Sequence, residues 1–263
     1  TKNYQQEFGK ITQELSQIGS YQEWIEFYKK MVFWELELES LEDPSLLEIF
    51  QSQKKEAKPQ YSRFIKSEYP SWMLGENPPI LSHQLFQKRV LPNLTKGQPI
   101  LLLVIDNLRW DQWQLIARAI SSIYTIEREE AYFSILPTAT AYARNAFFSG
   151  LTPYEMHKRH PEWWVFDDEP EGKNKYEEEY LRSQIERHSK GVSFSYNKIT
   201  QLKQGQQLIK QLANHAQEDL IVVVYNFVDM ISHAKTEMEM IKELAPYNKA
   251  YRSYKLQIPK RVS

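Results

Sequence analysis

The chain has 263 residues, with 33 Lys and Arg against 34 Asp and Glu, a net charge of −1 and no cysteine. Hydrophobic residues at 41% and charged residues at 25% exclude wholesale disorder. The missing cysteines exclude disulfides, thiolate zinc sites and cysteine nucleophiles, and the near-neutral charge gives no general attraction to nucleic acid or a membrane surface. The longest apolar runs, Ile100–Ile105 and Leu220–Tyr225, fall far short of the ~20 residues of a membrane span. No hydrophobic N-terminal signal is present and the first residue is Thr1, so the expectation is a soluble cytoplasmic protein excerpted from a longer one.

Only 8 glycines occur, which favours helices over a turn-rich β architecture. Tyr4, Phe8, Ile11, Leu15 and Ile18 step by four, three, four and three, one apolar face of a helix that Gly19 ends. Ser20 with Glu23 reads as a capping box opening a second helix through Trp24, Ile25 and Tyr28. Asp43-Pro44 caps a third, carrying Leu46, Leu47 and Phe50, which Pro59 should kink or interrupt before Phe64 and Ile65. Residues 1–66 thus read as a three-helix bundle. Residues 67–98 collect Pro70, Gly75, Pro78, Pro79 and Pro92 and read as a connection with one short helix at 81–90 and anchors at Trp72 and Leu74.

From residue 99 the pattern becomes α/β. Ile100–Ile105 is continuously apolar, as in a strand buried on both faces of a parallel sheet. A helix is expected at 112–122, strands at 123–126, 192–196 and Leu220–Tyr225, and a helix at 202–213. Strands alternating with helices argue for a doubly wound sheet over 99–263.

Ligands of open α/β sheets bind beyond the carboxyl ends of the strands. Both strong strands run into an acid there, as Leu103-Val104-Ile105-Asp106-Asn107 and Tyr225-Asn226-Phe227-Val228-Asp229. His233 follows Asp229 by four residues, and on a helix the two share a face at metal-binding spacing. D-x-x-x-H alone is a common pattern; two strand-end acids in one crevice make it more telling.

A third feature runs from Leu136-Pro137-Thr138-Ala139-Thr140 through Arg144 and Asn145 to Gly150, and reads as a helix entrance, a helix at 141–148 and its glycine stop. A threonine at a helix entrance is commonly a simple N-cap. Alternatively, its hydroxyl meets an anion there, and a nearby dication makes it a nucleophile.

Together these segments resemble the alkaline phosphatase superfamily, specifically the PglZ-domain branch found in PorX-type response regulators. That resemblance implies an alkaline phosphatase-like doubly wound sheet preceded by the helical bundle. In the superfamily a strand-end Asp and a Thr or Ser nucleophile bind one metal and a D-x-x-x-H pair binds the other. Asp106, Thr140, Asp229 and His233 match those positions in order. Thr140, rather than Thr138, is implied as the nucleophile, because related phosphodiesterases place it ten residues before the glycine closing the helix, here Gly150. The resemblance further implies two zinc ions, contacts of Arg144 and Asn145 to a phosphate oxygen, and a phosphodiester or nucleotide-like substrate. As context it implies an upstream receiver domain and histidine kinase, regulation of type IX secretion, no membrane partner, and a homodimer among the expected assemblies.

The sequence departs from that family in one respect. The family completes its two-metal site with a later Asp-His pair and a final His, and no Asp or His follows His233. The resemblance thus implies an interior portion of a longer protein, ended by truncation or a shifted frame and expected to be inactive as it stands. A non-catalytic signalling or interaction module with a phosphatase-like fold is the alternative. A receiver-domain reading of residues 102–106 is set aside, since a phospho-acceptor Asp is needed roughly 45 residues on and Ser149-Gly150-Leu151-Thr152-Pro153 stands there.

Two lesser features remain. His157 and His160 have metal-like spacing but lie among positive charges, and read as solvated surface histidines or contacts at the site rim. Residues 162–190, with nine acids and five Lys or Arg, read as an insert with a solvated acidic face and Trp163, Trp164 and Phe166 as its small core.

Overall fold

The computed structural model describes residues 2–41, 43–166, 172–188, 191–211 and 217–226. They form two compact units: the first from the described residues within 2–100, 109–194 and 217–220, the second from those within 101–108, 195–211 and 221–226.

The first unit opens with three helices whose ends follow from their caps. After α1 (Lys2–Gln17), the Ser20 and Gly19 N–H groups each donate to Glu23 Oε2 at 2.9 Å, and the Glu23 N–H donates to Ser20 Oγ at 3.3 Å. This reciprocal box starts α2 (Tyr21–Leu41). Asp43 Oδ1 accepts from the Ser45 and Leu46 N–H groups at 3.1 and 3.3 Å and starts α3 (Pro44–Met73). One apolar cluster joins the three helices, centred on Tyr4, Ile11, Trp24, Met31, Leu38 and Phe50, with Trp34 and Phe64 packed against it. Gln53, only 3% exposed, is satisfied within it: the Tyr4 hydroxyl donates to its Oε1 at 2.9 Å, and its Nε2 donates to the Phe8 carbonyl and Thr12 Oγ1, each at 3.1 Å.

The proline punctuation misleads in this region. α3 runs unbroken through Pro59 and Pro70 and past residue 66 to Met73. Proline already has a helical φ, so its cost is one lost hydrogen bond and a local clash, about 3 kcal/mol. The apolar cluster along α3 outweighs that. Trp72 is buried as expected, among Tyr21, Phe64 and Phe133, whereas Leu74 is 79% exposed and anchors nothing. The single helix expected at 81–90 is α4 (Ser82–Leu85) running into a π-helical turn, Phe86–Val90.

The first unit continues with α5 (Trp110–Ile120), α6 (Ala143–Ser149), α7 (Pro153–Arg159) and α8 (Glu177–His188). Residues 123–126, expected as a strand, are irregular, with Ile123 74% and Tyr124 66% exposed. A short apolar run becomes a strand only beside a partner, and none of the described strands pairs with it.

The second unit holds the sheet: β1 (Ile100–Ile105), β2 (Phe194–Ile199) and β3 (Leu220–Tyr225), with α9 (Leu202–Gln211). The strand order is β1-β3-β2. All three run parallel: the Asp106 N–H donates to the Tyr225 carbonyl at 3.0 Å and the Asn226 N–H to the Ile199 carbonyl at 3.2 Å, as the Ile100 N–H does to Asp219 and the Asp219 N–H to Ser193 at the other ends. The central strand β3 is buried from Leu220 to Val224, which its apolar run anticipates. β1 differs. Leu101 and Leu103, on one face of β1, are about half exposed. On the other side α9 approaches closely: a Cβ at Gly205 would stand 2.5 Å from the Tyr225 hydroxyl. The architecture is thus mixed helix and small parallel sheet. No helix among the described residues is long and apolar enough to cross a membrane.

Candidate functional site

Asp106 is placed by β1. Its N–H closes the ladder to Tyr225, its side chain is half-buried, and Asn107 then turns the chain away at φ 59°. Asn tolerates that left-handed conformation better than most residues. β3, its neighbour in the sheet, ends at Tyr225, with Asn226 next. Asp229 and His233, three and seven positions beyond Asn226, lie outside the described residues.

Thr140 belongs to the first unit. The strand-like approach to it is pinned three times: the Phe133 N–H donates to the Ile80 carbonyl at 2.9 Å, the Ile135 N–H to Ser82 Oγ at 3.2 Å, and the Leu136 N–H to the Tyr69 hydroxyl at 2.8 Å. A cis Leu136–Pro137 bond and a turn follow. In that turn the Ala139 carbonyl accepts from Tyr142 and Ala143, and the Thr140 carbonyl accepts from the Asn145 N–H at 3.4 Å. α6 then runs to Gly150, which takes φ 64° and closes it as expected. Gly150 is doubly required, because a Cβ there would also run into the Gln184 side-chain amide.

The N-cap of α6 is Tyr142, with no side-chain cap bond, so neither threonine serves as the cap. Thr138 is exposed, and Thr140 is half-buried. Among the described residues no hydrogen bond engages the Thr140 hydroxyl.

Arg144 and Asn145 turn inward. Arg144 is 8% exposed; its guanidinium forks onto Glu177 of α8, with Nη2 2.8 Å from Oε2 and Nε against Oε1. Asn145 Nδ2 donates to the Lys173 carbonyl at 2.8 Å and the Ala141 carbonyl at 3.2 Å. At the far end of α6, Gln184 Nε2 donates to the Phe147 and Phe148 carbonyls at 3.0 and 2.7 Å, and Arg187 donates to the Ser149 carbonyl.

Glu177 and Gln184 are the residues that sequence reasoning missed. Glu177 opens an acidic run, Glu177-Glu178-Glu179, that reads as a solvated face, yet it is 1% exposed. The signal was its spacing. Glu177, Tyr180, Leu181, Gln184 and Ile185 recur by three and four and are all buried.

Of the two histidines, His157 lies at the surface as expected and His160 does not. His157 is exposed but packs against Trp164 and Phe166 at 5.5 and 6.1 Å. His160 is half-buried on Trp163, with Ser183 Oγ 3.3 Å from its Nε2. Burial first, then the Arg187 and Arg159 charges, push its pKa below the ordinary 6.5, while Glu162 pulls the other way.

The carboxylate, hydroxyl and imidazole donors of the four expected ligands suit zinc in kind. Asp106 and Thr140 alone do not complete a site, and no group of three or more His, Asp or Glu among the described residues is placed to hold a metal ion.

Residues 85–258 match the model of the BREX system PglZ alkaline phosphatase-like domain. Residues 1–73 match the PorX response regulator linker domain. No curated protein matches the chain. With more than half of its length under the first match and a PorX-type linker ahead of it, the chain belongs to the PglZ alkaline phosphatase-like family.

Proposed function

We propose that this phosphatase-like module of a response regulator is a metal-dependent phosphohydrolase of phosphodiesters, with Thr140 as its nucleophile. The observation that carries the reading is the PglZ match over residues 85–258, within which Asp106 ends a parallel strand and Thr140 stands ten residues before the helix-closing Gly150. The uncommitted Thr140 hydroxyl supports it, since an N-cap threonine would be engaged by the backbone.

In the proposed reaction Thr140 Oγ1 attacks phosphorus in line, forming a phosphothreonine as the P–O bond to the leaving alcohol breaks. Water then cleaves the phosphothreonine. Zinc held by Asp106, Thr140, Asp229 and His233 would supply positive charge at the hydroxyl and at the phosphoryl oxygens. Arg144 and Asn145, proposed from the family resemblance as phosphate contacts, have partners inside the protein. They stay proposed as phosphate contacts, and through those partners they also support the Thr140 turn. A cytoplasmic setting, a receiver domain and a histidine kinase upstream complete the proposal, drawn from the linker match.

The test pairs metal content by elemental analysis with hydrolysis of a chromogenic phosphodiester, for the full-length protein and Thr140→Ala. Two zinc ions per chain are expected in both, with hydrolysis abolished in the variant. Equal rates would remove Thr140 from the mechanism. A full-length protein that binds no metal and hydrolyses nothing would leave the second reading, a non-catalytic signalling module.

A further inference from the structure

We infer that Glu177 is a positioning residue for Thr140, acting through Arg144; the inference rests on the reading of Thr140 as nucleophile. α6 has seven residues, too short to hold its shape alone. Its conformation, and that of the turn before it, must come from outside. The stretch that opens α8 supplies it twice. Glu177 Oε2 accepts from Arg144 Nη2 while Arg144 Nε lies in ion-pair contact with Oε1, and the Lys173 carbonyl accepts from the Asn145 amide. Asn145 in turn donates its N–H to the Thr140 carbonyl, and Arg144 lies about one helical turn after Thr140. Residues 173–177 therefore form a seat for the turn that carries the hydroxyl.

Stability alone does not explain this choice of residues. An apolar pair of the same volume would hold α6 to α8 as well or better, because burying two charges costs desolvation that their attraction roughly repays. The ion pair adds direction. A forked guanidinium–carboxylate contact fixes the plane of one group against the other and so resists rotation of α6 about its axis, which apolar packing tolerates. Such rotation would swing the Thr140 hydroxyl, and in-line attack is sensitive to displacements of about 1 Å, which can cost a hundredfold in rate.

The experiment uses the full-length protein with Glu177→Gln, the double variant Arg144→Met/Glu177→Leu, and Thr140→Ala. Steady-state kinetics on a chromogenic phosphodiester are combined with thermal melts and hydrogen exchange of the Ala143 and Asn145 amides. The expected result is kcat lowered roughly ten- to a hundredfold in both Glu177 variants, KM within about twofold, a melt close to the parent's, and exchange at Ala143 and Asn145 faster by about tenfold. If the double variant does not fold, Glu177→Gln decides by the same criteria. Parental kcat or unchanged exchange at those amides overturns the positioning role, and so does a loss confined to KM. If Thr140→Ala is as active as the parent, the nucleophile reading fails; if Thr140→Ala is inactive and Glu177→Gln is parental, only the positioning role fails.

Discussion

The imidazole of His160 lies flat on the indole of Trp163, with centroids 4.2 Å apart and planes 7° from parallel, and the Tyr180 ring meets it edge-on at 5.9 Å. Burial of the His160 ring favours the neutral imidazole. Its folded pKa is below the ordinary 6.5, so below pH 6.5 the unfolded chain takes up a proton that the folded one resists. Stability contributed by His160 is complete above pH 6.5 and is lost as pH falls toward the folded pKa. His83 acts in the same direction, lowered first by burial and then by Lys88 against an opposing pull from Glu155. Proton NMR should show the His160 ring titrating below 6.5, and His160→Gln should flatten the acid side of the melting temperature against pH. A ring that titrates at or above 6.5 would contradict the seat described.

Phe50 is fully buried in the cluster of α1, α2 and α3, edge-on to Tyr4 at 6.2 Å. Phe50→Ala should cost about 3–5 kcal/mol, the transfer of a large side chain plus the cavity it leaves. Urea unfolding measures this, and a loss under about 1 kcal/mol would mean that the cluster collapses to fill the space.

Pro59 lies inside α3 with its ring exposed. Pro59→Ala restores one backbone hydrogen bond and removes a clash, and should raise stability by roughly 1–3 kcal/mol. An unchanged or lower urea midpoint would show that α3 is shaped around the proline.

Gly150→Ala should destabilise the first unit. The left-handed φ alone costs an L-residue about 1–2 kcal/mol, and the new methyl would displace the Gln184 amide from the Phe147 and Phe148 carbonyls. A thermal melt equal to the parent's would be incompatible with this packing.

Local signals read well in this chain. The Ser20–Glu23 box, the Asp43 cap, the ends of β1 and β3, and Gly150 as a helix stop all depend on neighbours within a few residues, and each stands where the sequence placed it. Misreadings arose where tertiary packing overrides a local rule. Pro59 stays helical because the cluster along α3 outweighs one proline, and Ile123 and Tyr124 stay irregular because no described strand pairs with them. Of the candidate site, the place of Thr140 ahead of a short helix was legible. The Arg144–Glu177 pair was not: its members stand 33 positions apart, and Glu177 sits in a run whose composition looks solvated.

α3 is also a mechanical object. Its 30 residues make a rod about 45 Å long, with Asp43 at one tip and Tyr69 and Trp72 near the other. That far tip grips Leu136 through the Tyr69 hydroxyl and Phe133 through the Trp72 ring, centroids 5.1 Å apart. A lean of about 5° pivoted at Asp43 would sweep the tip through roughly 4 Å, more than the length of a hydrogen bond. Residues 133–136 cannot keep both grips and stay still under such a lean. The far tip of α3 and the Thr140 turn are thus tied, since Thr140 sits four residues from Leu136.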